Sequence, residues 1–153
     1  MTSQSIARIL RTYEQIAPRV DEMVAGFYER LFSVCPEARP LFKRDMTIQR
    51  HHLAATLAML VRNLQFQDLL QDAVMDLGAQ HVMFGARPDQ YPVVRDSLLY
   101  SLGNALGKDW TPEVEADWRA LLDNIIVVML KGATRYVMNK SSRKPPLPRR
   151  ETK

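Results

Sequence analysis

A histidine at an inward-facing position is the first residue of this sequence that could do chemistry. His81 continues a stripe of Leu70, Val74 and Leu77 at helical spacing, so its imidazole is expected to face the interior. A buried neutral imidazole needs partners for both ring nitrogens. A protein group can satisfy both, which is the commoner solution for a lone histidine, or a metal ion can take one of them.

Two further polar groups occupy comparable positions on other segments. Gln49 lies one helical turn before Leu53 on an apolar face, and Tyr28 adjoins Phe27 in an apolar stretch. A buried phenol needs a hydrogen-bond partner. A lone glutamine of this kind usually reaches solvent from a helix end. Three polar groups on three otherwise apolar segments instead indicate one shared polar pocket.

The segments that position these residues have the pattern of consecutive helices. Before residue 140, apolar residues recur every three or four positions, and almost no stretch alternates as a strand would. Gly85 and Pro88 mark one break, and Thr111 followed by Pro112 opens the last helix. The expected segments are 3–16, 18–32, a short piece 36–42, 46–63, 66–80, 89–106 and 112–139. The sequence therefore predicts an all-α fold.

Length and composition fit a single globular domain. The chain has 153 residues, of which 46% are hydrophobic and 25% are charged. Cys35 is the single cysteine, so neither an internal disulfide nor a zinc motif built on cysteine pairs is expected. No apolar run approaches the roughly 20 residues of a membrane span, and no signal-peptide pattern opens the sequence. A cytoplasmic protein that does not associate with membranes is the expectation.

The net charge of +4 is concentrated at one end. Residues 140–153 hold six lysines and arginines against Glu151, which leaves residues 1–139 close to neutral. The body therefore has no basic excess with which to bind nucleic acid. We expect a domain over 1–139 and a basic, proline-rich, disordered tail over 140–153.

Four segments resemble those of bacterial single-domain globins and the globin part of flavohemoglobins. The segments are FYERLFSVCPEARPLF at 27–42, MTIQRHHL at 46–53, LGAQHVMFG at 77–85 and YPVV at 91–94. The match runs in the right order over about residues 5–138. The resemblance implies a globin fold of about seven to eight helices enclosing heme b.

The resemblance also implies a role for individual residues. His81 matches the axial ligand of the iron. Tyr28 and Gln49 match the polar pair on the distal side, where a gas ligand binds, and Leu53 matches the apolar residue over the iron. The other implied heme contacts, with His52 expected near a propionate, are Phe42, His52, Leu77, Tyr91 and Val94.

The adjacent histidines His51 and His52 offer an alternative distal residue. With Gln49 as the distal residue, the position four later is Leu53, a suitable apolar cover. With His52 as the distal residue, the position four later would be Thr56. The spacing therefore favours Gln49 as the distal residue. A solvent-exposed helix face is the simplest expectation for His51.

Reversible oxygen binding is the function that the resemblance implies, for storage, delivery or scavenging, with nitric oxide and CO as further ligands. A second hypothesis is nitric oxide dioxygenation supported by an external reductase, because no flavin or nicotinamide segment follows in this chain. A third is heme-based gas or redox sensing. A monomer and a homodimer are both compatible with the sequence. The inward-facing His81 argues against a heme-free structural bundle.

One departure from the family pattern bears on mechanism. Flavohemoglobins place a glutamate in the last helix that hydrogen-bonds the axial histidine and a tyrosine, which enriches the iron in electron density. The matching place falls near Ala133, between Gly132 and Thr134, and carries no carboxylate. The absence of this carboxylate argues against a peroxidase-like or fast dioxygenase function.

Overall fold

The computed structural model describes residues 1–142, and over this range it contains helices and no strand. The α-helices are α1 Ser3–Ile16, α2 Val20–Val34, α3 Met46–Arg62, α4 Gln67–Met83, α5 Tyr91–Leu106 and α6 Pro112–Ser142. The predicted all-α fold is confirmed. Within the described range no helix is both long and apolar enough to cross a membrane.

Six α-helices are fewer than the seven to eight expected, because short connecting segments form 3-10 turns instead. One such segment, Pro36–Leu41, contains Pro40, whose missing N–H disfavours an α-helix. At the other end, α6 continues to Ser142, three residues past the expected end at Asn139. The remainder of the expected tail, residues 143–153, lies outside the described range.

Side-chain caps fix where two of the helices begin. The Asp45 carboxylate accepts a hydrogen bond from the Thr47 backbone N–H at 2.7 Å and opens α3. The Thr111 hydroxyl accepts from the Val114 N–H at 3.2 Å, which confirms the predicted cap of α6. The cap at Asp45 places Gln49 in the first turn of α3.

The main core lies where α1, α2, α5 and α6 meet. Its fully buried side chains include Ile9, Val24, Leu102 and Trp118. A buried hydrogen bond crosses this core from the Trp118 indole N–H to the Thr12 hydroxyl, at 3.0 Å. These contacts hold α1 against α6.

A second packing region joins α4 to α6 through two glycines. A Cβ atom on Gly78 would lie 1.9 Å from the Met129 carbonyl oxygen, and one on Gly132 would lie 2.0 Å from the Met75 carbonyl oxygen. Each helix therefore presents a glycine to the backbone of the other. This contact allows α4, which carries His81, to lie directly against α6.

Candidate functional site

One cavity between α2, α3, α4, α5 and α6 brings all nine predicted site residues together. Its wall contains Tyr28, Phe42, Gln49, His52, Leu53, Leu77, His81, Tyr91 and Val94. His81 and Leu77 come from α4, whereas Tyr28 comes from α2 and Gln49 from α3. The polar pair therefore reaches the cavity from helices other than the one that carries the histidine. By contrast, His51 is exposed and is not part of the wall.

The His81 imidazole is held in one tautomer. Its Nδ1 lies 2.7 Å from the Leu77 carbonyl oxygen, which can only accept, so Nδ1 carries the proton. Burial lowers the pKa of His81, and the hydrogen bond to Leu77 opposes this in part. The ring is therefore neutral near pH 7, with an unprotonated Nε2 that can ligate a metal.

The chain leaves α4 just after His81 through a glycine-dependent turn. The Ala86 N–H donates to the His81 carbonyl at 2.9 Å, and the Gly85 N–H donates to the Val82 carbonyl at 3.0 Å. This pair of bonds requires a left-handed residue after the helix, and Gly85 supplies it with a φ of 90°. The turn fixes the last turn of α4, and with it the backbone of the histidine.

Tyr28 and Gln49 form a hydrogen-bonded pair in the cavity wall. The Gln49 Nε2 donates to the Tyr28 Oη at 3.1 Å. Burial raises the pKa of Tyr28, with the Gln49 bond acting in the opposite direction, so the phenol keeps its proton at neutral pH. Because its oxygen accepts from Gln49, the Tyr28 O–H is available to donate to a ligand in the cavity.

Aromatic contacts hold the Tyr28 ring in place. Its centroid lies 5.4 Å from that of Phe42 and 4.9 Å from that of Phe27, both in edge-on arrangements. Phe32 packs against Phe42 at the same centroid distance of 5.4 Å. Such contacts favour a single ring orientation. The phenol is thus held in place before any ligand binds.

Tyr91 is buried beside His81 but has no hydrogen-bond partner for its hydroxyl among the described residues. The two ring centroids are 6.2 Å apart. Burial raises the pKa of Tyr91, so it too stays protonated. An unpaired buried hydroxyl is costly and points to a group that would bind in the cavity.

Sequence reasoning missed the α6 wall of the cavity and the cations at its rim. Ile126 and Met129 line the side near Tyr91, and Arg87 lines the rim. Arg95 also lines the cavity. Both guanidinium groups already donate to carboxylates, Arg87 to Asp89 at 3.3 Å and Arg95 to Asp123 at 3.0 Å. Ile126 and Met129 recur at helical spacing, yet apolar lining looks the same as core in a sequence. Arg87 gave no periodic signal because it lies in a loop.

None of the described residues lining the cavity is acidic. Ala133, the place expected to lack a carboxylate, is buried and is not part of the wall. The hydrogen-bond acceptor for the His81 N–H is therefore the Leu77 carbonyl and not a carboxylate.

The donor set fits a planar apolar group with a central metal. The cavity offers one nitrogen ligand, His81 Nε2, in a largely apolar wall, and the polar pair comes from other helices. His52 and Arg87 supply polar or cationic groups at the rim, where carboxylates of such a group would need them. Heme matches this arrangement better than a small hydrophilic ion would.

Comparisons with known proteins identify a matching family and similar chains. The family model described as Globin matches residues 25–129. A flavohemoprotein from Rhizobium meliloti (strain 1021) is 27% identical over 110 residues, which cover 70% of this chain and 27% of the relative. The chain thus spans about a quarter of that protein. An anaerobic nitrite reductase from Oryza sativa subsp. indica is 24% identical, covering 76% of this chain and 85% of the relative.

Two solved bacterial proteins have the same fold. A candidate nitric oxide dioxygenase from Rhodothermus marinus, engineered as a carbene transferase, superposes with a TM-score of 0.80 at 23% identity, covering 92% of this chain and 99% of that one. A globin from Campylobacter jejuni gives a TM-score of 0.78 at 20% identity, covering 90% and 99% respectively.

Proposed function

This chain belongs to the globin family, and on that premise we propose that it binds heme b through His81 and reversibly binds oxygen. Heme iron supplies a coordination position that a diatomic gas can take. One observation carries the proposal: a neutral imidazole with a free Nε2 lies in the same cavity wall as a preformed pair of hydrogen-bond donors. CO and nitric oxide are further ligands of the same kind.

The remaining wall residues have roles that follow from their chemistry. Phe42, Leu53 and Leu77 supply apolar surface that excludes water from the cavity. Val94 adds to this apolar surface from α5. His52 is exposed and lines the cavity, and it would donate to a propionate. Tyr91 provides an unpaired hydroxyl on the side of His81.

Nitric oxide dioxygenation with an external reductase is the second candidate, since flavohemoproteins are among the similar proteins. The absence of an acidic residue from the described cavity wall favours oxygen binding over this candidate. The Leu77 carbonyl is a weaker hydrogen-bond acceptor than a carboxylate and gives the imidazole less anionic character. Sustained nitric oxide consumption with a cellular reductase would favour the second candidate.

The test is an optical spectrum of the purified protein in ferric, ferrous, oxygen-bound and CO-bound forms. We expect heme bands that respond to both gases. His81→Gly should lose heme or hold it weakly, and added imidazole should restore the spectrum, because the missing group is one nitrogen ligand. His51→Gly is the matched control, since His51 is exposed and outside the cavity. Unchanged heme affinity in His81→Gly would exclude His81 as the ligand.

A further inference from the structure

The end of α6 lies beside the start of α4. At the glycine contacts between these helices, later residues of α6 meet earlier residues of α4, so the two helices run antiparallel. α6 continues from Gly132 to its end at Ser142 for about 15 Å, and α4 extends from Met75 back to Gln67 for about 12 Å in the same direction. Residues 143–153 therefore follow from a point close to the first turn of α4.

The outward side of α4 is acidic. Asp68, Asp72 and Asp76 are exposed and recur every four residues, which places them on one side of the helix. α4 contains no lysine or arginine, and none of these three aspartates forms an ion pair within residues 1–142. We call the side of α4 that carries the three aspartates its acidic face.

The start of α4 also exposes apolar side chains. Phe66, at the N-cap position, provides no side-chain hydrogen bond to the first turn. Phe66 is 55% exposed and Leu69 is 72% exposed. Large apolar side chains left in water favour a partner that covers them. A partner for this region therefore needs both apolar and cationic groups.

Residues 143–153 have that composition. Five lysines and arginines stand against Glu151, and Leu147 lies among three prolines. Prolines favour an extended conformation of about 3.1 Å per residue, so the segment can reach about 34 Å, and they reduce the conformational entropy lost on docking. The far end of the acidic face lies about 17 Å along the helices from the end of α6. The segment is therefore long enough to run back over all three aspartates.

The outward side of α6 is the nearest alternative surface for the same segment. It has an apolar groove, but the cations Lys131, Arg135 and Lys140 lie in that half of the helix. The same half contains no acidic residue, since Asp123 is the last one in α6. A cationic segment is repelled by such a surface and attracted by the acidic face. Charge complementarity therefore favours α4 as the surface that the segment covers.

We propose that residues 143–153 fold back over the acidic face of α4, with their lysines and arginines paired with Asp68, Asp72 and Asp76 and with Leu147 against the exposed apolar side chains at the start of the helix. Exposed ion pairs are individually weak, but a tethered segment forms several of them at a high effective concentration. The segment then covers the first half of the helix that carries His81. This docked arrangement differs from the disordered tail that composition alone predicts.

Zero-length cross-linking with a carbodiimide tests the contact in the purified full-length protein. The reagent joins a lysine amine to a carboxylate that it touches, so it should link Lys144 or Lys153 to an aspartate of the acidic face at low ionic strength. In salt of about 1 M, where the screening length is about 3 Å, the link should be lost. Absence of the link at low ionic strength, or links to other carboxylates alone, would overturn the proposal.

A mixture of unlabelled and isotope-labelled protein identifies which chain supplies the aspartate. Linked peptides that are wholly light or wholly heavy show that the segment docks on its own chain. Linked peptides with one light and one heavy half show that a second copy of the chain is the occupant, and the proposal then fails.

Charge reversal tests whether the pairing stabilises α4. Lys144→Glu, Arg149→Glu and Arg150→Glu together reverse the segment, and Asp68→Lys with Asp72→Lys reverses the acidic face. Each reversal should lower the melting temperature by a few degrees at low ionic strength and speed amide hydrogen exchange in the first half of α4 severalfold. The combined variant should recover both values, because opposite charges meet again.

Asp21→Lys with Glu22→Lys is the matched control, because these exposed acids lie in the first turn of another helix, α2. That turn lies far from the end of α6, since Arg19 donates to the Ala105 carbonyl at 2.9 Å, shortly before the chain enters α6. Combining this control with the reversed segment should give no recovery. Equal recovery in the control, or no recovery in the α4 combination, would exclude docking on the acidic face.

Discussion

The Tyr28 hydroxyl is arranged to donate a hydrogen bond. The Gln49 amide donates to its oxygen, which leaves the phenol proton free and polarises the O–H bond. Burial raises the pKa of Tyr28, so the proton stays in place through the neutral range. Packing against Phe27 and Phe42 fixes the ring. A ligand that develops negative charge in the cavity would therefore be stabilised more than a neutral one.

Replacing this donor should affect oxygen far more than CO. Oxygen bound to heme iron carries partial negative charge and CO carries much less, and a hydrogen bond to a charged acceptor contributes about 1.5 to 3 kcal/mol. Tyr28→Phe should therefore speed oxygen dissociation about ten- to one-hundredfold. Gln49→Leu should show a smaller effect of the same kind. Stopped-flow dissociation rates for both gases measure this difference.

Tyr13→Phe is the matched control for this experiment, because Tyr13 is a buried tyrosine in the core outside the cavity wall. Its oxygen dissociation rate should equal that of the wild type. Equal acceleration of oxygen and CO in Tyr28→Phe would mean a steric effect in place of a lost hydrogen bond.

The hydrogen bond between His81 and Leu77 predicts a weakly anionic axial imidazole. A carbonyl acceptor withdraws less proton density from Nδ1 than a carboxylate does, so the iron–nitrogen bond should be weaker than in glutamate-bearing relatives. Resonance Raman spectroscopy of the ferrous, unliganded protein should give a low iron–histidine stretching frequency. A frequency in the high, peroxidase-like range would contradict this, and would require a carboxylate that the described cavity wall does not contain.

The sequence was most informative where a polar side chain interrupts an apolar stripe. His81, Gln49 and Tyr28 stand out for that reason, and the structure places all of them in one cavity wall. Ile126 and Met129 could not be found in the same way, because a residue that lines a pocket and a residue that fills a core have the same apolar signature. The family resemblance supplied the expected heme contacts, which periodicity alone does not distinguish.

At the scale of helices, the contact between α4 and α6 is what places His81. Helix boundaries followed well from the sequence, since caps such as Thr111 and breaks such as Gly85 act locally. The close contact between α4 and α6 at Gly78 and Gly132 could not be predicted from the sequence. Gly78 and Gly132 appear in the sequence only as weak helix formers, and their purpose depends on which helix crosses at that point.

Adding a methyl group at this crossing should force the helices apart. Overpacking of this kind costs about 1 to 3 kcal/mol, offset in part by the roughly 1 kcal/mol that alanine gains over glycine in a helix. The new Cβ would meet backbone and not a movable side chain. We therefore expect Gly78→Ala and Gly132→Ala each to lower the free energy of unfolding by about 2 kcal/mol net, which is near the upper limit of this range. Urea unfolding of each variant measures the loss.

Gly26→Ala is the matched control, since a Cβ there would meet the Ser101 hydroxyl oxygen at 3.2 Å and no backbone. It should cost much less than either crossing variant. Displacement of α4 should also speed heme loss in Gly78→Ala, as His81 lies one turn further along the same helix. Stability equal to the wild type in both crossing variants would show that the helices can separate freely.

At the scale of the whole molecule, an ion pair joins the first helix to the last. The Arg8 guanidinium donates to both carboxylate oxygens of Asp117, one of them at 3.2 Å, and also pairs with Glu113 at 3.2 Å. Asp117 is a buried residue, whereas the Glu113 side chain is 70% exposed. The hydrogen bond between Trp118 and Thr12 lies one residue away and joins the same two helices. The packing of α1 against α6 therefore includes the charge of the Asp117 carboxylate, which protonation can remove.

Acid should remove the contribution of Asp117 to stability. The hydrogen bond from Arg8 holds the pKa of Asp117 below its ordinary value, so the folded state binds this proton less readily than the unfolded state. The stabilisation is therefore complete above the unfolded pKa of about 3.9 and is lost as pH falls through the lower folded value. Asp117→Asn should lower the melting temperature by several degrees at pH 7, and the difference from the wild type should shrink below about pH 4.

Glu113→Gln is the control, because it alters the exposed partner of the same arginine, and it should change the melting temperature little at any pH. A difference for Asp117→Asn that stays constant down to the lowest pH at which both proteins fold would mean that shape, and not charge, is what Asp117 contributes.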